Sequence, residues 1–266
     1  MRFSLGRLAL PIYAVLAFVY LLIPIAYTFI FSFNDTYKSN IVWRGFSLKN
    51  WIGVCDEQGV CEAFGNSILI GVVSTIIATA LGTAIAIALV RYEFKFRSSV
   101  SLLLFLPMAT PEIVLGAGLA SQFFNMGAEK GLGTVIIAHV MFCLSFVVVT
   151  VKARVSSLDP ALEEAGSDLY ASPSRVFWKI TFPLLMPGIL SAALLSFALS
   201  FDDFIITNFN AGPLSTFPKF VYTAASKGIP AAANVVGSAV FIVAILIVVA
   251  VQIRSTIKER RLAATK

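Results

Sequence analysis

Apolar residues run along this chain in six long blocks, at approximately 9–32, 65–90, 99–124, 131–151, 184–206 and 233–253. Each is long enough to cross a lipid hydrocarbon layer as a helix. Lipid offers no hydrogen-bond partner to an open backbone, so the blocks predict helices or a closed barrel. Barrel strands would alternate in polarity over about 10 residues. The segment VVSTIIATALGTAIAIALV in the second block is continuous instead, so the pattern predicts six spanning helices: an all-α, polytopic membrane protein, read as one domain over residues 1–266. The block after Arg7 is longer than a secretory core and has no small-residue cleavage site, which predicts a retained anchor. Small residues crowd the second block, at Gly71, Ala78, Ala80, Gly82, Ala84, Ala86 and Ala88. They predict close helix packing, because small faces let backbones approach where lipid gives no hydrophobic drive.

Composition agrees. The chain is 58% apolar with a mean hydropathy of +0.89, and 13% of it is charged; a soluble domain carries about a quarter. Three cysteines are too few for a disulfide-dense scaffold, and one histidine cannot build a metal cluster. No GxxxxGK[ST] and no GxGxxG after a strand is present, so nucleotide is not expected to bind here. Cations set the orientation. With the N-terminus inside, the inner segments hold fourteen Lys and Arg: Arg2, Arg7, Arg91, Lys95, Arg97, Lys152, Arg154, Arg175, Lys179 and the five of the tail beginning RSTIKERR. The outer segments hold six: Lys38, Arg44, Lys49, Lys130, Lys219 and Lys227. Both termini are therefore expected inside, and the net charge of +6 needs no nucleic acid to explain it.

One inner segment breaks the apolar pattern. LDPALEEAGSDLYASPSRVFWKITFPLLMP, residues 158–187, is charged and punctuated by proline. Asp159-Pro160 is a helix start, since Asp accepts from free amides and Pro suits the first helical position. Ser172-Pro173 is a second. The expectation is two short helices over a loop at 152–182, with a corner near Tyr170-Ala171, and Pro183 and Pro187 bracketing the return into the membrane. Ala161, Leu162, Ala165 and Leu169 share a helical stripe. Either it folds back on the protein's own helices or it docks in a groove on a soluble partner.

At this point the chain resembles a family. Glu164-Ala165-Gly166, then Tyr170, then Ile180-Thr181-Phe182-Pro183 resembles in spacing the EAA loop of permease subunits of ABC importers. Gly166 replaces the second alanine, and Tyr170 stands where the family has a glycine that permits a left-handed turn. Further likeness, at Phe31-Ser32-Phe33-Asn34, Phe64-Gly65-Asn66-Ser67, Arg91-Tyr92-Glu93-Phe94, Pro111-Glu112-Ile113-Val114, His139 through Thr150 and Ser200-Phe201-Asp202-Asp203-Phe204, is to the second permease of polyamine (spermidine/putrescine) importers. The resemblance implies a type I importer in a bacterial inner membrane. A second homologous permease, two ATPase subunits that bind ATP and magnesium, and an extracytoplasmic solute-binding protein would complete it. Leu162, Glu163, Glu164, Ala165, Gly166, Leu169, Tyr170, Ile180 and Pro183 would couple to the ATPase. This chain would hold no cofactor and do no bond chemistry. Related branches import other small solutes, such as thiamine, iron or amino-acid derivatives.

Acids inside the apolar blocks are the candidate substrate residues. Glu112 lies about 20 Å into the third block, and Asp202 and Asp203 about 22–24 Å past Pro187, at 1.5 Å per residue. A carboxylate facing lipid at mid-bilayer costs about 2.5–3.5 kcal/mol. These three, with Ser200 beside them, are expected on a wet path suited to an organic, multivalent cation. The alternatives are that the aspartates cap the fifth helix or its loop in headgroup water, and that Glu112 bonds amides freed by Pro111. Lesser signals remain open. Cys55 and Cys61 form a disulfide or stay free thiols; Cys143 is buried and inert. His139 relays protons or is hydrogen-bonded between helices. Trp43 and Trp51 belong to an interfacial belt or touch a binding protein, and the sequon at Asn34-Asp35-Thr36 abuts the membrane. A stand-alone secondary transporter leaves the charged loop unexplained, and a membrane enzyme lacks a catalytic cluster.

Overall fold

The computed structural model describes residues 5–36, 40–56, 59–225, 228 and 230–264. Arg2, Lys38, Lys227 and Lys266, four of the cations counted for orientation, lie outside the described residues. In chain order the helices are α1 (Leu5–Phe31), α2 (Lys49–Ile52), α3 (Val60–Arg91), α4 (Arg97–Ala109), α5 (Glu112–Asn125) and α6 (Leu132–Ser156). They continue as α7 (Ala161–Asp168), α8 (Pro173–Val176), a π-helical turn (Phe177–Thr181), α9 (Phe182–Asp202), α10 (Ile205–Asn210), α11 (Phe217–Ala225) and α12 (Ala231–Ala264). Among the described residues, five stretches are long and apolar enough to cross a membrane, and six if α4 and α5 count as one. The chain divides into two compact units, one of Met1–Cys61 with Phe220–Lys266 and one of Glu62–Lys219.

Two expected elements take a different form. The third block is not one helix: α4 and α5 meet at 110°. Pro111 has no N–H to donate and pushes the residue before it out of helical space; Thr110 is accordingly extended, at φ −86° and ψ 133°. SRVFWKI, expected as a separate short helix, instead runs through the π-helical turn into α9 as one stretch from Pro173 to Asp202. Pro183 follows directly on the π turn, inside this continuous stretch, where a local π adjustment accommodates the missing N–H, so it breaks no helix. At the far end the helix stops at Asp202, before the expected 206, and Asp203 leaves it with ψ 125°.

In the larger unit α6 is the axis. It packs against α9, α4, α10 and α5, and buries Ala138, Phe142, Cys143, Val147, Val148, Val151 and Val155. The small residues of α3 have a steric reason: Ala78 and Ala86 are fully buried, and a Cβ on Gly82 would collide with Val147. In the smaller unit α1 packs against α12, with Ser238 donating to the Thr28 carbonyl at 3.4 Å.

The segment after α1 is held by Asn34. Its amide donates to Asn40 Oδ1 at 2.7 Å and the Val42 carbonyl at 2.8 Å, and its oxygen accepts the Arg44 N–H at 2.7 Å. A fully buried side chain so occupied is no glycan acceptor. Trp51 stacks on Phe33 and donates to Ser32 Oγ at 3.2 Å, while Trp43 meets Phe31 edge-on. Both indoles thus pack on their own chain. Cys55 and Cys61 form a disulfide that ties the start of α3 to this segment, and Cys143 is free and buried.

Candidate functional site

The break between α9 and α10 and the break between α4 and α5 face one cavity. It has a volume of about 450 Å³ and is lined by Glu112, Leu195, Ala198, Leu199, Asp202, Asp203, Phe204 and Ile205. Glu112 opens α5 just after the Pro111 bend, and Asp202 ends α9. Both side chains are exposed to this space. Apart from Asp203 the remaining wall is apolar, so the site offers two open carboxylates largely against hydrocarbon.

Asp202 and Asp203 do not act as a pair. Neighbouring side chains already point about 100° apart on a helix, and the chain leaves the helix at Asp203, so the two carboxylates part. The Asp203 carboxylate is buried, with 2% of the side chain exposed. It accepts the Ile206 N–H at 3.1 Å and the Thr207 N–H at 2.8 Å, and so caps α10. His139, on α6, stands behind it. Its Nε2 lies 3.3 Å from Asp203 Oδ2 and 2.9 Å from Thr207 Oγ1, and its Nδ1 lies 2.7 Å from Ser200 Oγ. Ser200 is therefore buried on His139 rather than open to the cavity. His139 links α6, α9 and α10, the structural form of the interhelical hydrogen bonding that its position in an apolar block allows. Asn210 extends the network by donating to the Gly116 carbonyl of α5 at 3.2 Å. Together these contacts fix the two helix breaks that present Glu112 and Asp202.

The second feature is α7. Asp159 Oδ1 accepts the Ala161 N–H at 2.9 Å, as its place before Pro160 predicts. Two sides of the short helix then differ. Gly166 is buried, so close to the chain that follows that a Cβ there would lie 2.7 Å from Ile180 Cδ1. Glu163 is held by Arg91 Nη2 at 2.9 Å and by the Thr181 hydroxyl at 3.0 Å. On the other side Leu162, Glu164, Ala165 and Leu169 are exposed. Leu169 is 82% and Tyr170 98% accessible. The apolar stripe therefore does not fold back on its own unit.

Tyr170 takes the left-handed conformation, φ 58°. Its N–H reaches the Ser167 carbonyl at 2.9 Å and the Ala171 N–H reaches the Gly166 carbonyl at 3.3 Å, so the turn closes α7 as a glycine would. The corner keeps its shape and Tyr170 bears the steric cost, about 1–2 kcal/mol. Tyr170→Gly is expected to leave stability within about 1 kcal/mol, since steric relief is offset by the freer unfolded chain. Tyr170→Val should lower the thermal midpoint of the purified protein, because a β-branched side chain fits this region worst. Equal midpoints for the two variants would contradict a strained corner.

Comparison with known proteins identifies what these features belong to. The family of binding-protein-dependent transport system inner membrane components matches residues 78–263. The chain belongs to that family. This permease is 33% identical over 250 residues to the spermidine/putrescine transport system permease protein PotC of Escherichia coli strain K12, covering 94% of each chain. It is 34% identical over 223 residues to the putrescine transport system permease protein PotI of the same organism, covering 80% of this chain and 79% of that one. Its fold is similar to that in a crystal structure of a bacterial ABC transporter involved in import of the acidic polysaccharide alginate, with a TM-score of 0.62, 14% identity, and coverage of 96% and 99%. It is thus a polytopic membrane permease of an ABC importer, a transport subunit rather than an enzyme.

Within this permease, sequence reasoning placed Glu112 and Asp202 where they share a space, and it found the exposed side of α7. It overlooked Arg91 and Thr181 as partners of Glu163; the one signal was that Arg91 ends an apolar block near the charged loop. It also assigned to Ser200 and Asp203 an open position that the structure gives to neither.

Proposed function

We propose that the permease imports polyamines, that both termini lie inside, and that α7 docks on an ATPase subunit. The observation that carries the first reading is the placement of Glu112 and Asp202 around one largely apolar cavity. An alkylammonium group donates three hydrogen bonds and carries no acceptor, which two carboxylates complement. Leu195, Leu199, Phe204 and Ile205 suit the methylene chain between amines. Intramembrane acids are costly unless paired or wet, and a cation path supplies the reason to keep them. The named substrates of PotC and PotI support the same class.

The exposed apolar stripe of α7 supports docking in a groove on a soluble partner. ATP and magnesium are then bound by two ATPase subunits, a second homologous permease completes the path, and an extracytoplasmic binding protein delivers the solute. Closure of the ATPases would move α7 and switch the access of the cavity. The test is uptake by proteoliposomes holding the whole complex. Labelled spermidine and putrescine should accumulate with ATP, and unlabelled polyamine should compete where thiamine, ferric iron and amino acids do not. Uptake of one of those solutes with no competition by polyamine would overturn the assignment.

A further inference from the structure

We propose that Arg91 is a positioning residue for coupling: its ion pair with Glu163 is the joint through which displacement of α7 reaches α3. This rests on the reading of α7 as the helix an ATPase moves, and goes beyond it by naming where the movement enters the bundle. Glu163 Oε1 receives two donors from two other elements. Arg91 Nη2, on the last residue of α3, lies 2.9 Å away, and Thr181 Oγ1, on the π-helical turn leading into α9, lies 3.0 Å away. One carboxylate oxygen thus joins α7 to both helices. The side chains are 20% and 30% exposed, so water screens the pair only in part.

The surroundings make the pair matter. Beside it lies a cavity of about 530 Å³, lined among others by Ile87, Arg91, Glu163, Ser167, Val176 and Thr181. Close packing does not fill the space between α7 and the end of α3, so the charged tie bridges it. On the same face of α7, three residues on, Gly166 bears directly on Ile180 of the π-helical turn. A rigid contact beside a directional, charge-assisted tie on one face of the helix is the arrangement a lever needs. A π turn is rare and is frequently found at functional sites, and here it brings Thr181 to the node. Glu163 and Glu164 therefore divide the work: the first holds the bundle, while the second faces outward.

The test is a charge swap in the complete complex, reading solute taken up per ATP hydrolysed. Arg91→Glu alone and Glu163→Arg alone should each lower that ratio about tenfold, the scale of a lost charge-assisted hydrogen bond, while ATPase co-purifies at wild-type yield. Arg91→Glu with Glu163→Arg should recover most of it, because the Thr181 hydroxyl both donates and accepts. Recovery will be partial, since each reversed charge opposes its helix dipole. If the single variants do not insert, Glu163→Gln, which keeps the shape and hydrogen bonding, gives the reading: a lowered ratio at full ATPase yield supports the joint. A wild-type ratio in Glu163→Gln, or a swap no better than the worse single variant, overturns it. Failure of the docking reading would show differently, as unchanged ATPase yield when the exposed side of α7 is altered.

Discussion

Replacing Glu112 by Gln together with Asp202 by Asn is expected to reduce polyamine uptake at least about a hundredfold, with assembly and ATP hydrolysis intact. The magnitude follows from two hydrogen bonds between charged groups, each worth about 1.5–3 kcal/mol, where about 1.4 kcal/mol is tenfold. Both replacements preserve size and remove only charge, at side chains that face the cavity. Each single variant should fall between. Asp203→Asn should behave differently. Its carboxylate caps α10 and meets His139, so the expected result is a loss of stability of about 1 kcal/mol, visible in the thermal midpoint, with uptake following stability. Uptake at the wild-type rate in the Glu112→Gln, Asp202→Asn protein would remove these residues from the path.

Glu164→Lys is expected to release the ATPase subunits while the permease inserts normally. Glu164 is exposed in the first turn of α7, where a negative charge complements the helix dipole, and it stands beside the Leu162, Ala165 and Leu169 stripe. Reversing a charge at a desolvated interface costs about 2–5 kcal/mol, roughly a 30-fold to several-thousandfold weaker complex. Glu163, which faces the bundle, is untouched, so the fold is an internal control. Co-purification of the ATPase at wild-type yield would refute docking through this face.

The elements of the fold were legible because lipid punishes open backbone, so a continuous apolar block has little choice but helix. Their breaks were legible only in part. Pro111 marked a place where a helix can end, yet nothing local distinguishes a kink from a 110° turn, which depends on what α5 packs against. Pro183, expected to bracket the return into the membrane, interrupts no helix, because the π turn before it accommodates the missing N–H. The acids repeat the lesson. Asp202 and Asp203 are neighbours in sequence, and their opposite fates arise from one backbone dihedral at the end of α9. The Arg91–Glu163 contact spans 72 residues, and no periodicity carries information over that distance. Tyr170, by contrast, was readable as a question: the turn required a left-handed residue, and the structure shows the tyrosine adopting it.

The most direct test of the lever is thiol labelling at Leu169→Cys. The protein's own cysteines do not interfere, since Cys55 and Cys61 are joined and Cys143 is buried. An impermeant maleimide should label the variant rapidly in inside-out vesicles stripped of ATPase, slowly once the ATPase is restored, and not at all in right-side-out vesicles. Labelling from the outside, or an inside rate indifferent to the ATPase, would contradict a helix that faces the interior and is covered by the engine that drives it.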